Sequence, residues 1–390
     1  MSAHVPSVKR NNYLQMSNIT HQMKYLIFLE TFFGINRLYV CGYRKWILCL
    51  SYIYGVILHL SLGLLININR IGIFTERFYK ITTTIEYLLL SFSALLLQRN
   101  KLSKFFSSLQ TFDEKLNISN EVSLLCPKQW YIYGAVVVIL YSVFENLYSI
   151  FFIYQSIDVS LLADVKYLPT IAHDLEIVFF CYLLIIILKR LSVLKAHVAK
   201  VFSINIEERI DFEDSRQLEV LSKRVNLDVS SVHKLYDLLH KCSDQLNSIM
   251  SLSMITMIVT SGLSTIVILK NTIKMIQSTS IDLIRQAILF VSIGHSLKYI
   301  LMLAFPCYVI NKTKNQVAII RTMIHDTLNS IQLDKIERRK IKAFYDLVCE
   351  NQYEYVIYGI INLDMSLPLS YTNLCTTYLI IVVQFSKFFD

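Results

Sequence analysis

The strongest constraint on this chain is a series of long apolar stretches, each near the length of about 20 residues that an α-helix needs to cross a bilayer. Seven stretches qualify, at residues 46–66, 78–97, 130–154, 168–188, 249–269, 286–309 and 366–388. Backbone groups inside hydrocarbon must be hydrogen-bonded within the segment, which a helix achieves. The sequence therefore predicts an all-α polytopic membrane protein with seven transmembrane helices, of which the second and the fourth are the least apolar.

The basic residues indicate how these helices are oriented. The segment before the first span and the loops 98–129, 189–248 and 310–365 hold 29 of the 38 Lys and Arg residues. Basic residues collect in cytoplasmic loops, so we expect a cytoplasmic N-terminus and an extracellular C-terminus. The first forty residues show no apolar region followed by a small-residue cleavage site, so we expect no cleaved leader.

This topology divides the chain into four parts. They are a cytoplasmic N-terminal segment at 1–45, six helices at 46–309, cytoplasmic anchor helices at 310–365 and the seventh helix at 366–390. All eight cysteines fall in spans or on the inner side, so we expect no structural disulfide.

The inner loops carry apolar residues at helical intervals. One stripe runs from Leu218 to Leu239 ahead of the fifth span, and another runs from Val317 to Ile331 below the sixth. Apolar stripes at intervals of three and four need a packing partner. The helices are therefore expected to extend out of the membrane, within about 189–248 and 310–365, into a cytoplasmic bundle.

The last apolar stretch carries a polar stripe. Its members step by three, four and seven residues and so share one helical face: Ser366, Ser370, Asn373, Thr377 and Gln384. Only Ile380 and Ile381 interrupt it. Amides and hydroxyls left unpaired in hydrocarbon cost several kcal/mol, so the stripe needs water or polar helices opposite it. It either joins helices to each other or lines an aqueous path with an apolar constriction at Ile381.

A nine-residue motif in this stretch resembles a known signature. Thr377-Tyr378, five hydrophobic residues and Gln384-Phe385 are similar to the motif that closes insect gustatory receptors. The segment Tyr358 to Asp364 also resembles the one that leads into the last helix of that family. The resemblance implies a multi-pass receptor of the plasma membrane of chemosensory neurons. It would assemble as a homo- or heterotetramer and act as a tastant-gated cation channel.

In such a channel the last helix surrounds the pore. The resemblance, together with the stripe, implies pore or gate roles for Ser370, Asn373, Thr377, Ile381, Gln384 and Phe385. Sugar-sensing members tend to carry an acidic residue directly after the Thr-Tyr pair, where this chain has Leu379. We therefore expect a bitter or plant secondary compound rather than a common sugar, with a fructose-type receptor as the alternative.

Polar and aromatic side chains inside the spans are candidates for a ligand pocket. Those in the outer or middle parts of the spans are Glu86, Tyr87, Glu145, Asn146, Tyr148, Phe151, Phe152, Asp174, Phe179, Ser292, His295 and Tyr299. Aromatic walls with a few polar groups suit a small organic ligand, and the resemblance places tastants among the outer halves of the helices. The alternative is pairing between helices, for example of Glu145 with Lys298, or interface anchoring by His173, Asp174 and Glu176.

Other function classes fit the sequence less well. We find no nucleophile elbow and no cysteine pair at metal spacing, so we expect no enzyme, cofactor or metal site. The acidic run at 207–214 lacks the pattern of a calcium loop.

A G-protein-coupled receptor and a transporter remain alternatives. The first would place most basic residues outside the cell, and the second lacks paired helices broken by Gly or Pro. The expected partners are a tastant, membrane lipid and other receptor subunits, and no nucleic acid.

Overall fold

The computed structural model describes residues 18–68, 74–118, 168–202, 225–277, 283–330 and 333–389, together with residues 134, 136, 137, 140, 141 and 144. The elements in chain order are α1 (Asn18–Phe32), α2 (Lys45–Ile68), α3 (Phe74–Phe92), α4 (Gln98–Lys115), α5 (Leu168–Val201), α6 (Val229–Gln277), α7 (Leu283–Ser330), α8 (Lys335–Glu350), β1 (Val356–Ile357), β2 (Ile361–Asn362) and α9 (Ser366–Phe389). A π-helical segment, Ser93–Leu97, joins α3 to α4.

The predicted spans that the structure describes are helical. Within the described residues, five helical stretches are long and apolar enough to cross a membrane: Lys45–Gly63, Ile81–Lys115, Leu168–Val201, Val229–Lys270 and Ser292–Asn329. The predicted seventh span forms α9. Most of the predicted third span lies outside the described residues, and its described members, between 134 and 144, are helical.

The two longest helices continue well beyond the predicted fifth and sixth spans. In α6 the apolar stripe buries Val232, Leu235 and Leu239, and in α7 the corresponding stripe buries Val317 and Ile320. These extensions pack against each other and against α5 and α8. The expectation of long helical extensions is therefore met in the described part of both loops.

The start of α6 corrects one detail of the predicted stripe. Val225 was expected to be helical, but residues 225–228 are irregular and the helix begins at Val229. The carboxylate of Asp228 accepts a hydrogen bond from the Ser231 amide at 3.1 Å. Such a cap satisfies an amide that has no partner inside the helix, and it fixes the start of α6 at Val229. Leu218 and Leu221 lie outside the described residues.

A short antiparallel hairpin interrupts the all-helical architecture between α8 and α9. Strands β1 and β2 pair through Val356 with Asn362, and the turn contains Tyr358 and Gly359, both at positive φ. The hydroxyl of Ser243 in α6 donates to the Tyr355 hydroxyl at 2.8 Å. Further hydrogen bonds from α6 reach the backbone of the same segment. The hairpin thus holds the segment that leads into α9 against α6.

The entry to α9 is capped. The carboxylate of Asp364 accepts hydrogen bonds from the Ser366 amide at 2.9 Å and from the Ser366 hydroxyl at 2.5 Å. These bonds favour the ionised carboxylate and lower the pKa of Asp364. A negative charge at a helix N-terminus also interacts favourably with the helix dipole. The start of the last helix is therefore set by local chemistry as well as by packing.

The N-terminal segment packs against the helices instead of standing apart from them. Ile19, Met23 and Ile27 of α1 are fully buried. After α1, the Arg37 guanidinium lies 2.7 Å from Glu176 of α5 and 2.8 Å from the side-chain oxygen of Gln98 at the start of α4. The described residues before α2 thus pack on the helical core through one face of α1 and through Arg37.

A second buried ion pair joins α4 to α5. The guanidinium of Arg190 donates two hydrogen bonds to the Asp113 carboxylate, at 2.9 and 2.5 Å. The side chains are 0% and 2% exposed, so water does not screen the pair. Removing one partner of a buried pair typically costs about 3–5 kcal/mol, because the other charge is left uncompensated. The pair therefore fixes α4 against α5.

We expect Arg190→Met to lower the thermal stability of the protein strongly, by an amount equivalent to about 3–5 kcal/mol. The double variant Asp113→Leu with Arg190→Met should recover much of the loss, because no unpaired charge then remains. Melting of the detergent-solubilised protein, followed by size-exclusion chromatography after heating, measures both. Arg321→Met, at an exposed position of α7, is the control. Equal melting of Arg190→Met and this control would contradict the expectation.

Candidate functional site

Within the described part of the chain, the buried side chains of the last helix, α9, share one face. Pro368, Tyr371 and Cys375 are buried on that face. Tyr371 and Cys375 contact Leu303 of α7, and Ile258 of α6 packs against the same cluster. The Tyr371 hydroxyl is also hydrogen-bonded to the Thr265 hydroxyl of α6, at 2.8 Å. The position of α9 is thus set by α6 and α7.

The predicted polar stripe lies on the opposite side of α9. Ser370, Asn373, Thr377, Ile381 and Gln384 are all exposed. At about 100° per residue, the stripe points roughly 160° away from the buried face. Phe385 belongs to the helix, but its side chain lies outside the described part of the structure. The polar residues of α9 are therefore directed away from the rest of their own chain.

Four helices bring polar side chains together at a second place. Glu86 of α3 contacts the Nδ1 atom of His173 in α5 at 2.5 Å. The Nε2 atom of His173 lies 3.2 Å from the Ser261 hydroxyl of α6, and the His173 ring meets the Tyr299 ring of α7 edge to face. These four residues form what we call the polar cluster. It lies among the predicted second, fourth, fifth and sixth spans.

An ion pair and a further aromatic contact adjoin the polar cluster. The Lys298 ammonium donates to the Asp174 carboxylate of α5 at 2.8 Å. Glu145, considered as a partner of Lys298 from the sequence, lies outside the described residues. The His295 ring packs edge to face on Tyr299, with 4.8 Å between centroids. Four predicted pocket residues, Glu86, Asp174, His295 and Tyr299, are thus found close together.

A small cavity lies beside the polar cluster. Its volume is about 10 Å³, close to what a single water molecule needs. The lining combines Ser261 and Tyr299 with apolar side chains, namely Ile177, Met254, Met257, Ile258, Met302 and Leu303. Methionine side chains are flexible and polarisable and adapt readily to a guest molecule. The cavity is small as observed but is bounded by residues that can move.

Other predicted pocket residues lie elsewhere. Tyr87 faces the N-terminal segment, where its hydroxyl donates to the Phe33 carbonyl at 2.9 Å, and Phe179 packs under the Arg37 guanidinium. Ser292 is half-buried in α7, three residues before His295. The remaining candidates lie outside the described residues: Glu145, Asn146, Tyr148, Phe151 and Phe152.

The sequence alone did not single out three residues of this region as pocket members. His173 was interpreted as an anchor, Lys298 as a partner for Glu145, and Ser261 carried no signal among the many hydroxyls of α6. For Ser261 the spacing to Ser264 and Thr265 shows only a hydroxyl-rich helix face. Contacts between distant helices decide which hydroxyl of that face meets His173.

Comparisons with known proteins agree with this architecture. The chain matches the family model described as 7tm Chemosensory receptor over residues 23–389. Its fold is similar to that of the insect olfactory receptor OR5 from Machilis hrabei, solved in complex with eugenol (12% identity) and without it (13% identity). Both comparisons have a TM-score of 0.61 and cover 96% of this chain and 100% of the receptor. A comparison with curated protein sequences finds no significant match.

At this identity the structural likeness establishes the fold, while the family match covers nearly the whole chain. The predicted all-α membrane architecture and the resemblance to insect chemoreceptors are confirmed at this level. Long apolar helices in the described residues agree with a multi-pass membrane protein. The chain belongs to the 7tm chemosensory receptor family.

Proposed function

We propose that the protein is a gustatory receptor that acts as a tastant-gated, non-selective cation channel. The observation that carries this proposal is the polar stripe of α9, which is directed away from its own chain. Polar groups facing lipid are costly, so this face requires water or further subunits. Four copies of α9 around an axis supply both, since each stripe then faces a central aqueous path.

A single apolar position on the stripe is suited to act as a gate. Ile381 lies between Thr377 and Gln384 on the same face and is 40% exposed in the single chain. A ring of isoleucine side chains in a narrow pore excludes water, and with it ions, without any charge. The Gln384 amide, one turn away, can replace part of the hydration shell of a passing ion. The pore face thus combines a dewetting barrier with polar contacts.

Tastant binding is proposed in the small cavity beside the polar cluster. Ile258 and Leu303 line this cavity and also contact or pack near Tyr371 and Cys375 of α9. A ligand that enlarges the cavity must displace α6 or α7, because protein interiors are closely packed. The same two helices hold α9 in place. Ligand binding is therefore coupled to the pore helix through directly packed side chains.

The chemistry of the cavity favours a neutral and largely apolar tastant. Glu86 is matched by His173, and Asp174 by Lys298, so the charges seen around the cavity are paired with each other. The walls are mainly Met, Ile and Leu, which offer a sugar few hydrogen bonds. Ser261 and Tyr299 supply hydroxyls at one side. A bitter or plant secondary compound fits these walls better than a common sugar.

An olfactory role is the second candidate, since the similar fold from Machilis hrabei is an olfactory receptor that was solved with eugenol. The signature from Thr377 to Phe385 favours the gustatory assignment. Whole-cell recording from cells that express this chain alone, with tastants and volatile odorants as separate panels, distinguishes the two. Currents evoked only by volatile odorants would reject the gustatory proposal.

We expect the cavity-filling variant Met257→Trp to raise the half-maximal tastant concentration at least tenfold, equivalent to about 1.4 kcal/mol. The larger side chain occupies the space that the ligand needs. Val259→Trp is the matched control, because Val259 lies on the same helix and is 56% exposed. An unchanged dose-response curve for Met257→Trp, at normal surface expression, would place the ligand elsewhere.

Replacing Ile381 with serine should produce standing current without tastant, because the polar side chain weakens the dewetted barrier. Leu379→Ser is the control, since two residues along a helix point to nearly opposite sides. Patch-clamp recording in the absence of ligand measures the effect. If leak currents in the two variants are equal and small, Ile381 is not the gate.

The proposed topology places the N-terminus in the cytoplasm and Asp390 outside the cell. An epitope at the N-terminus should bind antibody only after permeabilisation, whereas an epitope after Asp390 should bind on intact cells. The excess of basic residues in the four inner segments is the physical reason. Native glycosylation at Asn18 would show the reverse orientation.

A further inference from the structure

A large groove lies on the surface of the helix bundle, between α2, α3 and the N-terminal segment. It is separate from the proposed tastant cavity. Its volume is about 840 Å³, within the range of roughly 300–1,000 Å³ that is usual for sites of small organic ligands. Its walls include Val56 and Leu60 of α2 and Ile85, Leu88 and Phe92 of α3, which are 46–63% exposed. We call it the α2–α3 groove.

The position of the groove indicates where its occupant comes from. Both walls belong to helices that match predicted membrane spans, so the groove opens toward hydrocarbon rather than water. An apolar gap of this size inside a bilayer does not stay empty, because its lining atoms would lose their dispersion contacts. The occupant must therefore be a molecule that dissolves in the membrane.

Most polar groups of the groove are already engaged within the chain. The Asn36 amide donates to the Ser51 hydroxyl at 2.6 Å, and the Ser91 hydroxyl donates to the Gly34 carbonyl at 3.2 Å. These atoms require nothing from an occupant. The occupant can thus be apolar along most of its length.

His59 has one ring nitrogen that is not engaged in the described part of the chain. Its Nδ1 atom lies 2.5 Å from the Gly55 carbonyl oxygen, which can only accept, so Nδ1 carries the proton. The Nε2 atom is buried and has no hydrogen-bond partner within the described part of the chain. In the neutral ring, Nε2 is then an acceptor. A single hydroxyl donor on an otherwise apolar molecule would satisfy it.

We propose that the α2–α3 groove binds a membrane sterol whose hydroxyl donates to His59 Nε2. A sterol combines a rigid apolar body with one hydroxyl, which matches apolar walls and one acceptor. The acyl chains of a phospholipid fit the walls but bring no donor to His59. The sterol is therefore preferred over the acyl chain.

The groove also adjoins the proposed tastant site. The His59 ring stacks on the Tyr87 ring, with 4.7 Å between centroids. The residue before Tyr87 in α3, Glu86, contacts His173 in the polar cluster. A sterol in the groove would hold α3 in place from the opposite side and so influence tastant sensitivity. This functional consequence rests on the proposed channel function, whereas sterol binding itself does not.

Photolabelling of the purified full-length protein in lipid nanodiscs tests the binding. A photoreactive sterol should label peptides of α2 and α3, and unlabelled sterol should compete. Gly55→Phe should reduce labelling at least fivefold, since a side chain added at Gly55 meets open space in the groove. His59→Phe keeps the stacked ring but lacks the acceptor and should reduce labelling to a similar extent.

Gly63→Phe is the matched control. Gly63 lies on the same helix, also faces open space and does not line the groove, so labelling should stay at the level of the unmodified protein. Equal labelling of all three variants would overturn the proposal. Labelling of the same peptides by a photoreactive phosphatidylcholine, without competition by sterol, would also overturn it and assign the groove to acyl chains. Neither outcome depends on whether the protein conducts ions.

Discussion

The guanidinium of Arg37 holds together parts of the chain that are far apart in sequence. It lies 2.9 Å from Glu30 and 2.7 Å from Glu176, and all three side chains are 0% exposed. Its other donors reach Gln98, and its plane packs on the Phe179 ring. Because an uncompensated buried charge costs several kcal/mol, none of these groups can leave independently. The N-terminal segment, the start of α4 and the middle of α5 are therefore fixed relative to one another.

The charge of this network must also be balanced, since two carboxylates face one guanidinium without access to water. Burial raises the pKa of Glu30 to about 8, which favours the neutral form of one of the two carboxylates. Gln98 extends the network to α6, because its amide donates to the Ser253 hydroxyl at 3.3 Å. It directly follows the π-helical segment, which shifts the register of α4 relative to α3. The polar core thus reaches the helix on which α9 packs.

Hydropathy and periodicity predicted the helices well, because membrane length and apolar stripes act locally along the chain. The polar stripe of α9 is also local, and its members are all exposed as a set. The site was less predictable, since it depends on which helices are neighbours. Glu86 and Tyr87 are adjacent in sequence, yet they face His173 and His59 respectively. From the sequence, Arg37 was only a charged residue ahead of the first span. Its role could not be predicted, because its partners lie 61 and 139 residues away.

The helices differ in how completely they are packed. α5 is buried on nearly all sides and holds one partner of each of the buried ion pairs Arg37–Glu176 and Asp113–Arg190. The described side chains of α9 that are buried share one face, around Tyr371, which packs against α6 and α7. If the proposed tastant binds in the cavity, its free energy of binding acts on α6 and α7, which contact α9 directly. In the proposed channel, the ligand would act on α9, which packs through one face, while the buried α5 stays in place.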